Sequence, residues 1–262
     1  MCGLYGFTTS PRSKMTQKQK HDLTVALGFK SEPRGEDSFG LLVKSMKNKL
    51  STIKGLGTLK GSDLPKTQVK LIKDAKFMMG HNRMASHGEV TLKNCHPFQL
   101  GNWIMSHNGV ISGHTRYKKE TTMLPVGETD SETLLSWLVS KNKVINDFLK
   151  VETYHDAFTV YDTAEDKLYI ITKGKELYYI QDSDMLVYSS ESIITSSSYE
   201  IATGKVRVPE IIPCDRVSEL TPSGIQTIEH SPHSSGLIQN NPGWKQAWEY
   251  DTDAVKYGYG GR

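Results

Sequence analysis

Met1-Cys2-Gly3-Leu4-Tyr5-Gly6-Phe7 opens the chain, and the reading of everything downstream depends on the fate of its first residue. A small residue at position 2 lets methionine aminopeptidase remove Met1, which makes Cys2 the new terminus. One residue then carries both a thiol and a free α-amine. A thiol is strongly nucleophilic once deprotonated, and an α-amine titrating near ~7.7–8.0 is well matched to accept its proton at neutral pH. The competing reading keeps Met1 and makes Cys2 a small hydrophobe at the start of a buried strand, a common place for free cysteine. The heptapeptide alone does not decide between them.

Composition narrows the field. A chain of 262 residues with 37% hydrophobic content can bury a substantial core in one large domain or two small ones. No apolar run approaches the length of a membrane span, and the opening residues lack the apolar centre of a signal peptide, so no membrane is expected and the cytoplasm is the expected location. Three cysteines, Cys2, Cys95 and Cys214, with no C-x-x-C pair, argue against a disulfide scaffold and a structural zinc site. The net charge of +3 is too small to imply nucleic acid, and the lysines between Lys14 and Lys76 are scattered without interleaved aromatics. His81, His87, His96 and His107 sit in no H-E-x-x-H or C-x-x-C frame, so no metal is expected. No phosphate-binding glycine loop is present either, and no cofactor is expected.

Along the chain, Phe39 to Val43, Leu50 to Ile53 and the segment starting at Phe77 predict strands, with helices through Leu23 to Leu27 and over 66–76. Thr129 followed by Glu132 predicts a capping box that starts a helix through Leu134, Leu135, Trp137 and Leu138, with Asp130 in its first turn. From position 154 short alternating strands predominate: Ala157 to Tyr161, Leu168 to Thr172, Leu177 to Ile180 and Met185 to Tyr188. A helix over Ser192 to Ala202 and a hairpin turning at Thr221-Pro222-Ser223-Gly224 follow. Strands and helices without regular βαβ alternation indicate α+β.

Six strings recur in order: MCGLYGF, PRGEDSFG at 33–40, GHNRMASHG at 80–88, NCHPF at 94–98, SHNGVI at 106–111 and ETDSETLL at 128–135. Together, over roughly residues 2 to 200, the series resembles the class II glutamine amidotransferases. These are N-terminal-nucleophile (Ntn) proteins that include the glutaminase domains of glucosamine-6-phosphate synthase and amidophosphoribosyltransferase. The resemblance implies a four-layer αββα sandwich of two stacked antiparallel sheets flanked by helices. It further implies that Cys2 attacks the γ-carboxamide of L-glutamine, that Arg83 binds the α-carboxylate and Asp130 the α-ammonium, that Asn108 and Gly109 form the oxyanion hole, and that Arg34 supports the terminus beside the nucleophile.

The chemistry suits those roles. Glutamine carries both charges at one end and the reactive amide at the other, so its pocket needs a cation, an anion and separate neutral donors. Arg83, Asp130 and Asn108-Gly109 supply that set. Each also has an ordinary reading: arginines in surface ion pairs, Asp130 as a helix-start residue, Asn108-Gly109 as a tight turn. Met84 and Ser86 depart from the bulky ring and threonine usual in the sugar-synthase relatives.

The expected organisation is one amidotransferase domain over 2–230 and a polar tail over 231–262 whose Trp244 and Trp248 invite docking. The expected function is a glutaminase delivering ammonia to a separate synthase partner. The alternatives are an Ntn hydrolase of another γ-glutamyl or amide compound, and a non-catalytic binding or structural protein on the same scaffold.

Overall fold

The computed structural model describes residues 2–60, 62–153, 155–183 and 185–230, and the expectation for the tail over 231–262 lies outside them. Thirteen strands among these residues form two antiparallel sheets. Sheet A has the order β11-β9-β10-β1-β4-β2-β3, and sheet B the order β13-β12-β8-β7-β6-β5. The strands that matter most are β1 (Gly3–Thr9), β2 (Ser38–Ser45), β4 (Ala75–Arg83), β6 (Trp103–Asn108), β7 (Asp156–Asp162), β8 (Lys167–Lys173), β9 (Leu177–Asp182) and β10 (Met185–Ser189). Five helices accompany them: α1 (Gln17–Lys30), α2 (Lys66–Lys73), α3 (His114–Glu120), α4 (Asp130–Ser140) and α5 (Ser192–Thr203).

The layering follows from side-chain alternation, because successive residues of a strand face opposite sides of its sheet. In β2, Leu41 and Val43 pack with Leu23, Leu27, Ile194 and Tyr199 of α1 and α5, while Leu42 between them joins a different cluster. That second cluster unites Leu4, Leu42 and Met79 of sheet A with Ile104, Ala157 and Ile170 of sheet B. It is the layer between the sheets. On the far side of sheet B, Met105, Phe158, Val160 and Ile171 pack against Leu134, Leu135 and Leu138 of α4 and Tyr117 of α3. Helix, sheet, sheet, helix is the αββα order.

The sheets approach closely enough for backbone to fill what a side chain would occupy elsewhere. A Cβ on Gly40 in β2 would lie 1.7 Å from the carbonyl oxygen of His96, so only glycine lets that segment lie on the strand. The capping box is present only in half. Thr129 Oγ1 accepts the Glu132 N–H at 3.1 Å as expected, but the Glu132 carboxylate accepts from the N–H groups of Val126 and Gly127 instead of Thr129. The glutamate thus ties down the preceding loop. Helix α3 and the short strand β5 (Phe98–Leu100) were not legible in the sequence. Among the described residues no helix is long and apolar enough to cross a membrane.

Candidate active site

Antiparallel pairing collects the site at one rim of the sandwich. In sheet A the N-terminal end of β1 pairs with the C-terminal end of β4, Gly3 opposite Asn82, and β2 continues the row with Ser38 opposite Arg83. Cys2 therefore sits one residue beyond the Gly3 pair, beside Arg83. In sheet B the same rim holds the end of β6 and the start of β7, Asn108 opposite Ala157. The C-terminal end of β8 lies there too, Lys173 opposite Asp156. Residues from positions 108, 156 and 175 become neighbours through strand pairing, and the stacking of the two sheets brings Cys2 to them.

The rim encloses a cavity of about 450 Å³ lined by Cys2, Asn108, Gly109, Asp156 and Lys175, with Met84 and Ser86 on its other side. Cys2 Sγ lies 3.5 Å from the carbonyl oxygen of Met84, to which it donates. Burial pushes the Cys2 thiol above its ordinary value, while the Met84 hydrogen bond and the charges of Arg83 and Lys175 oppose it. Arg34, at the end of a short 3-10 turn, donates from Nε to the Cys2 carbonyl oxygen at 3.0 Å and pairs through Nη1 with Glu191. It fixes the backbone of Cys2.

Asn108 is fully enclosed. Its Nδ2 faces Ser190 Oγ at 3.5 Å, its Oδ1 accepts from Lys175 Nζ at 3.1 Å, and Ser190 Oγ in turn accepts the N–H of Leu4 at 2.9 Å. Ser190 thus couples the end of β6 to β1 across the two sheets. At Gly109 the backbone passes directly over a buried pair, His107 Nε2 with Asp156 Oδ1 at 2.6 Å. A Cβ there would lie 1.8 Å from that carboxylate oxygen, so glycine is required for close approach.

Arg83 and Asp130 lie behind the lining of the cavity. Arg83 is 3% exposed, and its guanidinium donates to the carbonyls of His87 at 2.6 Å, Gly88 at 3.2 Å and Glu89 at 3.2 Å, organising the loop that follows β4. Asp130, the first residue of α4, accepts the Ile111 N–H at 2.7 Å through Oδ2 and the Ser131 N–H at 2.8 Å through Oδ1. Ser131 Oγ meets His107 Nδ1 at 2.8 Å, so a continuous chain of hydrogen bonds joins Asp130, Ser131, His107 and Asp156. The rings of His81 and His96 meet at a tilt of 44° with centres 4.0 Å apart, and His81 Nε2 meets the His107 carbonyl oxygen at 3.0 Å. Burial holds the ionisation of both well down, His81 to about 3. Among the described residues no group of three or more metal-ligating side chains is assembled.

Sequence reasoning missed Asp156, Lys175 and Ser190. None lies in one of the six strings, and each owes its place to a strand that begins or ends at the rim.

Comparison with known proteins agrees with this geometry. Residues 65–192 match the family described as glutamine amidotransferases class-II. The chain is 28% identical over 215 residues to the glutamine–fructose-6-phosphate aminotransferase of Helicobacter pylori, covering 79% of this chain and 34% of that protein. It is 28% identical over 156 residues to the enzyme of the same name from Haemophilus influenzae, covering 57% and 24%. The chain therefore spans about a third of the length of one of these relatives and about a quarter of the other. The glutamine phosphoribosylpyrophosphate amidotransferase of B. subtilis shares the fold with a TM-score of 0.62 at 17% identity, over 87% of this chain and 49% of that one. Residues 65–192, just under half of the chain, thus match the class II glutamine amidotransferases, and the described residues form a four-layer αββα sandwich.

Proposed function

We propose that this chain hydrolyses the γ-amide of L-glutamine to glutamate and ammonia, with Cys2 as nucleophile after removal of Met1. The observation that carries the reading is the meeting of Cys2 with Asn108 and Gly109 in one cavity from two distant stretches of sequence. Burial favours the protonated thiol, so the sulfur needs a base within reach, and the α-amine of a terminal Cys2 is on the same residue. The thiolate attacks the amide carbon, and the carbonyl oxygen takes up the charge, which the Asn108 side chain and the Gly109 N–H stabilise. Loss of one such donor typically costs ~10²–10³ in rate. The α-ammonium then protonates the departing nitrogen, ammonia leaves and a thioester remains. Water, deprotonated by the same amine, releases glutamate and the free thiol.

In this scheme Arg83 binds the α-carboxylate and Asp130 the α-ammonium, which requires the loop over 87–89 to give up part of the Arg83 guanidinium when substrate enters. The ammonia passes to a separate synthase partner. What supports an acceptor is that the relatives are named for transfer of nitrogen to fructose-6-phosphate and the matched region is a minor share of their length.

The test is incubation with 6-diazo-5-oxo-norleucine followed by intact mass and terminal-peptide analysis. A single adduct on a Met-free Cys2, together with glutamine-dependent ammonia release, is the expected result. A folded protein that forms no adduct and releases no ammonia overturns the reading.

A further inference from the structure

Lys175 occupies the short turn between β8 and β9, where Gly174 is bridged to Asp156. It is 8% exposed, and among the described residues no carboxylate lies within ion-pairing distance of its ammonium. Burying an ammonium without a paired carboxylate costs several kcal/mol in general, and an apolar side chain of the same length avoids that cost. Its two hydrogen-bond acceptors both belong to Asn108: the side-chain Oδ1 at 3.1 Å and the main-chain carbonyl oxygen at 3.3 Å.

A carboxamide has one acceptor end and one donor end of nearly the same shape. An ammonium has donors only. Set against Asn108, it accepts one orientation of the amide and repels the other, in which two donors would meet. We propose that Lys175 is a positioning residue of this site, fixing the Asn108 side chain so that Nδ2 is the end left to donate to an oxyanion formed beside Cys2. This rests on the reading of Cys2 as the glutamine nucleophile.

The same ammonium serves a second purpose. It lines the cavity with Cys2 and favours the thiolate, as Arg83 does from β4. Burial lowers the proton affinity of Lys175 itself, with Asp156 and Cys2 acting to restore it and Arg34 acting with burial. The charged groups acting on the sulfur are therefore the N-terminal ammonium, Arg83 and Lys175, with Asp156 and Arg34 acting on the lysine.

Lys175→Met keeps the length of the side chain and removes donor and charge, and Lys175→Arg keeps both. The expected result for Lys175→Met is a fall of about 10² in kcat for glutamine hydrolysis, the scale of a lost oxyanion donor, with KM within about threefold of the parent. Lys175→Arg recovers most of kcat. The pH midpoint of Cys2 alkylation by iodoacetamide moves upward in Lys175→Met and stays near the parent value in Lys175→Arg. A melting temperature close to the parent shows that the fold is kept. A kcat within twofold of the parent, a loss carried only by KM, or an unmoved alkylation midpoint overturns the proposal. Should the parent itself prove inert to glutamine and to 6-diazo-5-oxo-norleucine, the glutaminase reading fails by itself. The alkylation midpoints, which need no turnover, then decide for or against the lysine.

Discussion

Single residues set the chemistry of this site, and Asn108 shows how completely. Both ends of its side chain are oriented, Oδ1 by Lys175 and Nδ2 by one hydrogen toward Ser190, which leaves the second Nδ2 hydrogen to donate and fixes the amide before any substrate arrives. Asn108→Ala is expected to lower kcat by ~10²–10³ with little change in KM, because an oxyanion donor acts on the transition state and not on the bound amide. Steady-state ammonia release measures both parameters, and a loss confined to KM would contradict the role. Cys2, Asn108 and Gly109, the proposed nucleophile and oxyanion donors, were legible as candidates because each sits in a short, chemically demanding string. Lys175 and Asp156 were not. A lysine after Lys173-Gly174 has no local signature, and its proximity to Asn108 is created by pairings between residues some 67 positions apart.

Secondary-structure elements carry these residues to the rim, and the start of α4 is the most exposed to perturbation. Thr129 caps the helix, Asp130 opens it, and Glu132 reaches back to the loop before it. Thr129→Ala removes the cap and is expected to cost about 1 kcal/mol, lowering the melting temperature by ~2–4 °C for a domain of this size. It should also raise KM for glutamine, since the frayed turn carries Asp130. Thermal melts with and without glutamine check both effects, and an unchanged melting temperature would show that the loop holds the helix start without its cap. The helix was readable from Thr129 and the apolar spacing after it. By contrast α3, with the sequence HTRYKKE, buries only Tyr117 and offers no apolar stripe to read. Strand β5 is three residues long, too short for an alternation to register.

At the scale of the molecule, the double sandwich forces polar groups into a layer with little water. His81 and His96 lie there, both fully enclosed and both held neutral by burial. Their ionisation is lowered on folding, so the unfolded chain binds protons that the folded one refuses. Stability is complete above the ordinary value of 6.5 and is lost as pH falls through the window from 6.5 toward 3. His81 contributes about 1.4 kcal/mol per pH unit inside that window, or ~2 kcal/mol between pH 6.5 and pH 5, and His96 acts in the same direction. Urea titrations across that range should show the midpoint falling on acidification, and His81→Asn should flatten the slope; a flat profile for the parent would contradict this account. The four-layer architecture came from the family resemblance, since composition and periodicity indicated α+β and no more. The order of strands in sheet A was beyond the sequence, because β1 finds its partners β4 and β10 by long-range closure and neither neighbour is adjacent along the chain.

That order has a temporal consequence. Tyr5 is paired with Ser189 and Leu4 is held by Ser190, so one edge of β1 waits for a strand made some 185 residues later in synthesis. At the usual pace of 5–20 residues per second the interval is about 10–40 s. Throughout it the edge of β1 that faces β10 has no partner, although β4 can already pair with the other edge. Cys2, next to β1, is closed in from that side only once synthesis has passed Ser190.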